Sequence, residues 1–322
     1  MSAAPEIVPF ADEHLDGAAA LLAERHRRHR ELEPLLPGRY EDTAAARSEL
    51  EAVWAKEGVS GAAAHHDGRI AGYLLGAPRD ASWGANVWVE FAGHAAEEAE
   101  VVRDLYAVAA ERWVEEGRTR HTALVPASDA ALLESWYRLC FGQQHAHGLR
   151  EVTDYEEVVV PDGVEVRAPT AEDVEALIDV DLALPEHQAR SPVFSGHGSG
   201  TREDLRTEWL STLAGDEETV LIATLDGRPV ACWSLVPVES SRMHTSLARP
   251  ENAALLGFAS TLPEVRGSGV GLALTAASFA WARESGYAAI VTDWRVTNLL
   301  SSRFWPRRGF RTTFLRLYRS IP

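Results

Sequence analysis

Apolar runs broken by an Asp-Gly pair occur twice along the chain. AAAHHDGRIAGYLLGAP sets Asp67-Gly68-Arg69 between two such runs, and VLIATLDGRPVACWSLVP does the same with Asp226-Gly227-Arg228. Asp-Gly accepts the positive φ of a tight turn, so each stretch predicts a β-hairpin. Farther on, AERWVEEG stops at Gly117 and FAWARESG stops at Gly286, each predicting a helix closed by glycine. The apolar strands HTALVP and AAIVTDW follow. Each leads into a helix with matched aromatics, Trp136 with Phe141 and Trp305 with Phe310. These later pairs lie 169 residues apart, whereas the hairpins lie 159 apart. One insertion between two copies of the same domain accounts for the difference.

Each half reads as strand, two helices, hairpin, strand, helix, strand, helix, strand. That alternation predicts an α/β (α+β) fold of two tandem domains, each a mixed, mostly antiparallel twisted sheet flanked by helices. The seam falls in VVVPDGVEVRAPTAED, where Pro161-Asp162-Gly163 makes a turn, so the domains are expected at 1–160 and 161–322. Thr170 followed by Asp173 predicts a helix N-cap just after it. Pro185 to Thr201, rich in glycine, proline and histidine, reads as a loop.

Composition narrows the classes. The 322 residues carry 31 basic and 48 acidic side chains, a formal net charge of -17, which argues against a general nucleic-acid binder. Cys140 and Cys232 alone make neither a disulfide framework nor a cysteine-rich zinc site, and no metal site is expected. The opening MSAAPEIVPFADEH has no basic segment before an apolar core, and no apolar run nears the roughly 20 residues that span a bilayer. A cytoplasmic protein without membrane partners is expected, as a monomer or a homodimer. Lys56 is the only lysine. The basic run AERHRRHRE from Ala23 to Glu31 is expected as a solvated helix face answered by nearby acids.

The most informative segment is ALLGFASTLPEVRGSGVGLALTAASFAWARESG. An apolar strand ends near Leu262, the turn RGSGVG follows, and a helix begins. Gly267, Gly269 and Gly271 let the backbone turn tightly and aim N–H groups outward at a helix N-terminus, a ready anion site. Arg266 adds a fixed positive charge. It is not the dinucleotide fingerprint, which opens the first βα unit and expects an acidic residue about 20 positions on.

These residues resemble the GNAT superfamily of acyl-coenzyme A N-acyltransferases. Its signature, Arg/Gln-x-x-Gly-x-Gly/Ala after the fourth strand, reads here Arg266-Gly267-Ser268-Gly269-Val270-Gly271, preceded by Pro263-Glu264. A downstream asparagine, aromatic and Gly-Phe appear as Asn298, Trp305 and Gly309-Phe310. The resemblance runs from Val164 to Pro322, and through the repeat to the first half. It implies a tandem GNAT protein that uses acetyl-CoA as co-substrate. The loop from Arg266 to Gly271 would hold the pyrophosphate, Ala259, Ser260 and Thr261 would pair with the pantetheine amides, and Asn298, Ser301 and Trp305 would line the thiol arm.

Carried back by 169 residues, Arg266, Gly267, Gly269 and Gly271 fall on Glu97, Glu98, Glu100 and Val102. Carboxylates there would repel a pyrophosphate, by roughly 4 kcal/mol per charge pair 4 Å apart at an effective dielectric near 20. The first half is therefore expected to be a degenerate copy that binds no cofactor. Within the second, the family's usual tyrosine position holds Trp305 and its glutamate position falls near Gly257. Asp293, Glu239 and His244 remain as candidate bases. The resulting reading is direct acetyl transfer from acetyl-CoA to a primary amine of a small molecule or peptide, with a lean toward a cationic acceptor. A non-catalytic acyl-CoA sensor or scaffold, and an acyltransferase resembling mycothiol synthase, stay open beside it.

Overall fold

Both Asp-Gly pairs close hairpins. Asp67 and Asp226 each have φ of 50°, and the glycines after them have φ of 76° and 83°. Residues 5–153, 160–195 and 200–322 are described in this computed structural model. In chain order the strands are β1 (Glu6–Pro9), β2 (Ser60–His66), β3 (Arg69–Gly76), β4 (Asn86–Val89), β5 (His94–Ala96), β6 (Arg120–Pro126), β7 (Gly142–Glu151), β8 (Val164–Arg167), β9 (Thr219–Leu225), β10 (Arg228–Pro237), β11 (Ala253–Thr261), β12 (Ala289–Arg295) and β13 (Arg311–Ser320). The helices are α1 (Leu15–Leu32), α2 (Thr43–Trp54), α3 (Val101–Glu115), α4 (Ala130–Arg138), α5 (Val174–Gln188), α6 (Arg202–Ala214), α7 (Val270–Glu284) and α8 (Ser301–Arg307). The order of elements matches in the two repeats except that the first has two strands, β4 beside β6 and β5 beside β3, where the second has the single strand β11, and the fold is mixed α/β with twisted sheets flanked by helices.

The chain forms two compact units that do not meet at residue 160. Unit 1 holds the described residues up to His147 together with Thr245–Glu251 and Thr312–Pro322; unit 2 holds Gly148–His244 and Asn252–Arg311. Each unit takes a closing strand from outside its own repeat. In unit 1, β13 runs antiparallel to β6, from Phe314 opposite Pro126 to Ser320 opposite Arg120. In unit 2, Gly148–Glu151 of β7 lie beside β12 in the sheet order, and the Val152 N–H donates to the Ala288 carbonyl at 2.9 Å. Val158 and Val159, at the start of the expected seam, lie outside the described residues.

Unit 2 places β8, β9, β10 and β11 antiparallel in that order, then β12 parallel to β11. Helix α5 packs on β10 and β11, while α7 packs on β8, β9, β10 and β12. Thr170 and Asp173 form the expected capping box, with the Thr170 N–H donating to the Asp173 carboxylate at 2.7 Å. It caps a short 3-10 turn that leads into α5. The helix then runs through Pro185 to Gln188, four residues into the stretch expected as a loop. Residues 196–199 of that stretch lie outside the described residues.

The basic run of α1 is not one solvated face. Arg27 and Arg28 meet Glu24 at the surface, whereas Arg25, His26 and His29 are buried. Helical periodicity splits nine consecutive residues between two environments.

Candidate functional site

The site in unit 2 begins where two strands part. Strands β11 and β12 pair only at Ala253, Ala254 and Leu255, opposite Ala289, Ile290 and Val291. Beyond that level β11 stays with β10, bulging at Gly257 because the register steps from Leu256 to Phe258. A V-shaped cleft opens, its apex bridged by the Thr292 hydroxyl donating to the Leu256 carbonyl at 2.9 Å. Past the paired level, the backbone groups of Ala259 and the Thr261 N–H face the β12 side of β11, where another extended chain could pair with them, while Ser260 faces Cys232 of β10. The Ser260 hydroxyl itself turns to the other face and donates to the Val180 carbonyl at 2.6 Å.

The strand leads through a 3-10 turn, Pro263–Val265, into the glycine loop. Gly267 and Gly269 have φ of 84° and 96°, which a side chain resists, and Gly269 is the N-cap of α7. The Ser268 hydroxyl ties the loop by donating to the Val265 carbonyl at 2.7 Å. The N–H groups of Val270 and Gly271 open the helix without intrahelical acceptors. A Cβ on Gly271 would stand 3.3 Å from the Phe304 ring, so this glycine permits a close approach of α8. Arg266 folds toward the strand end, its Nε donating to the Thr261 carbonyl at 3.2 Å. These are the features a pyrophosphate cradle needs: positive φ, outward N–H groups and one guanidinium.

Across the cleft, Asn298 is buried, and its Oδ1 accepts from the Leu300 N–H at 3.1 Å and the Ser301 N–H at 3.4 Å. The same oxygen lies 3.2 Å from Nε2 of His187 on α5. Arg295 Nε donates to Gln188 Oε1 at 3.2 Å. His187 and Gln188 were hidden to sequence reasoning, because Pro185 made their segment look like a loop.

Asp293 and His244 come together. His244 is fully buried, and burial holds its imidazole below the ordinary range. The Asp293 carboxylate and a hydrogen bond to the Thr292 carbonyl pull in the opposite direction. Asp293 itself is half-buried, two residues past the last paired level of β12, and also faces Arg295.

Two candidates fall away. Glu239 is exposed, in the turn beyond Pro237 that pairs with Ala254. That is level with residue 252, about five residues or roughly 16 Å along the strand from the level of Asp293. Trp305 is buried among Trp233, Phe304 and Phe310, with ring centroids 5.0–5.3 Å away. It packs the core beneath the cleft, as Trp136 does against Phe141 in unit 1. Spacing alone cannot tell an aromatic that faces a ligand from one that holds a helix down.

The loop comparison with the first repeat also changes. Ala96 pairs with Gly72 as Thr261 pairs with Ala231, and the helices start at Val101 and Val270. Four residues connect strand and helix in unit 1, and eight do so in unit 2. The cradle is shortened there as well as stripped of glycine, so Glu97 does not stand in Arg266's place. It follows the strand directly, with both carboxylate oxygens on Arg69. Glu100 pairs with Arg103 and Arg138.

Residues 184–310, which contain this whole cleft, match the Acetyltransferase (GNAT) family. The match falls within the second repeat. No curated protein matches it. Among solved structures it is similar to a GCN5-related N-acetyltransferase from Sphaerobacter thermophilus, at 15% identity and a TM-score of 0.57, over 98% of this chain and 95% of that one. A GCN5-related glucosamine N-acetyltransferase region of a fungal multi-domain GH3 beta-N-acetylglucosaminidase matches 99% of this chain and 38% of its own, with 15% identity and a TM-score of 0.53. At these identities the likeness speaks for the fold, and it extends over both units. No helix among the described residues is long and apolar enough to cross a membrane.

Proposed function

We propose that the protein transfers an acetyl group from acetyl-CoA directly to a primary amine, and that only unit 2 binds the acetyl donor. The observation that carries this reading is the opening between β11 and β12, which leads without interruption into the Arg266–Gly271 loop at the start of α7. When bound, acetyl-CoA supplies an acetyl group activated as a thioester. The chain's residues do the rest. Gly267, Gly269 and the first-turn N–H groups of α7 bind phosphate oxygens, with Arg266 supplying charge. The free edge of β11 orients the arm by backbone pairing, and Asn298 with Ser301 lines the opposite wall.

An acceptor ammonium with a pKa near 10 must lose a proton before attack. Asp293 stands at the splayed end of β12 and accepts it, while His244, buried behind, holds the carboxylate in position. The amine nitrogen bonds to the acetyl carbon, the carbon–sulfur bond breaks, and the thiolate departs; its solution pKa near 8.5 makes it a fair leaving group. The net charge of -17 favours a cationic acceptor.

The test is a panel of amines supplied with acetyl-CoA, reading free thiol release. Amine-dependent release is expected, and Arg266→Glu should require roughly 10- to 100-fold more acetyl-CoA to reach it. Saturable acetyl-CoA binding with no thiol release across the panel would make the protein a sensor instead.

A further inference from the structure

Unit 1 keeps a cleft of its own where unit 2 has the glycine loop and Asn298. A cavity of about 160 Å³ lies between the end of β5 and the start of α4, lined by Arg25, Arg28, Glu97 and Asp129 with Ala96 and Ala131. Pockets for drug-sized ligands begin near 300 Å³, so a pantetheine arm with its nucleotide is too large for it. Arg25 fills what would be the upper cleft, donating to the carbonyls of Phe91 and His94.

The charges around this cavity are unevenly used. Both oxygens of Glu97 are taken by Arg69. Asp129 gives Oδ1 to the Leu132 N–H at 2.9 Å as the α4 cap. Arg25 is 4% exposed, yet its Nε has no hydrogen-bond partner and its other nitrogens meet only neutral carbonyls. Arg28 is half-exposed and approaches Glu24 no closer than 4.0 Å. A buried guanidinium that hydrogen-bonds no carboxylate, with only the Asp129 charge nearby to offset it, is costly, and the first-turn N–H groups of α4 add to the pull on an anion. Asp129 is the one carboxylate on the wall with an oxygen to spare, and alanines leave the space open.

We infer that the unit 1 cleft binds a small α-amino acid, its carboxylate toward Arg25, Arg28 and the start of α4, its ammonium toward Asp129. The inference does not rest on acyl transfer in unit 2.

The test is calorimetric titration of the full chain with alanine, acetate and ethylamine, with acetyl-CoA titrated in parallel to report separately on unit 2. Saturable alanine binding is expected, with acetate and ethylamine each at least 10-fold weaker. Arg28→Ala and Asp129→Asn should each weaken alanine at least 10-fold. Both variants keep the fold: Arg28 is at the surface, and an asparagine oxygen still caps α4. Arg266→Glu should leave alanine binding unchanged. Absence of saturable alanine binding, equal affinity for acetate, or indifference to both unit 1 variants would overturn the assignment.

Discussion

The two clefts are built on one plan and differ at four points. Where α5 carries Leu184, the position 159 residues earlier on α1 is Arg25, whose guanidinium sits on the carbonyls of Phe91 and His94. Where eight residues join β11 to α7, four join β5 to α3. Where Asn298 caps the turn into α8, Asp129 caps α4. The strand that flanks the cleft also differs: β11 is continuous in unit 2, whereas unit 1 divides it into β4 beside β6 and β5 beside β3. One long side chain from the neighbouring helix satisfies the backbone groups that a ligand would otherwise need.

The sharpest way to break this comparison is to move the plug. Leu184→Arg should place a guanidinium in the unit 2 cleft and lower acetyl-CoA affinity more than 100-fold, with little change in the folded spectrum. Undiminished affinity in a calorimetric titration would mean that Arg25 does not close its cleft in the way described.

Next in size is Arg266→Glu. Losing a charge-assisted contact worth about 1.5–3 kcal/mol predicts a roughly 10- to 100-fold weaker acetyl-CoA complex. The wild type should show one acetyl-CoA site per chain, and a second site would end the distinction between the units. Asp293→Asn should cut turnover about 100-fold while leaving acetyl-CoA binding intact. Equal rates in the variant would remove Asp293 as base.

The units should also differ in acid. Burial pushes His26 down to about 4 and His29 and His94 to about 3, all within unit 1. Their folded pKa values lie below the unfolded value near 6.5, so the unfolded chain takes up protons first as the pH falls. Stability is complete above about pH 6.5 and declines below it, toward the folded values. Between pH 6.5 and 5.5 each histidine accounts for about 1 kcal/mol, roughly 3 in all. Denaturant melts at the two pH values test this; equal midpoints would contradict the buried neutral state. The smallest effect belongs to Gly269→Ala. An alanine at φ of 96° costs about 1–2 kcal/mol, and its Cβ would crowd Pro161 at 2.8 Å. The same melts should register it as a modest loss.

Much of this was legible in the sequence. The Asp-Gly hairpins, the glycine loop and Asn298 depend on local chemistry that one residue type satisfies best, and these fell where the pattern put them. Arg25 did not announce itself, since a run of arginines and histidines looks solvated until helical phase and a neighbouring strand are known. The four-residue deletion in unit 1 was concealed because the offset of 169, fitted only downstream of it, was carried back across the loop. Trp305 and Glu239 failed for a shared reason: spacing along the chain says nothing about which end of a strand, or which side of a helix, meets the cleft.

The exchange of closing strands sets an order on biosynthesis. Strand β6 is complete at residue 126, but its partner β13 begins only at residue 311. At about 5–20 residues per second, roughly 10–35 s separate the two on the ribosome. Through that interval one edge of β6 is an open template for any extended chain. Unit 2 meets no such delay, because the strand beside β12 is made before β12 itself. Unit 1 is the first to be started and the last to be closed.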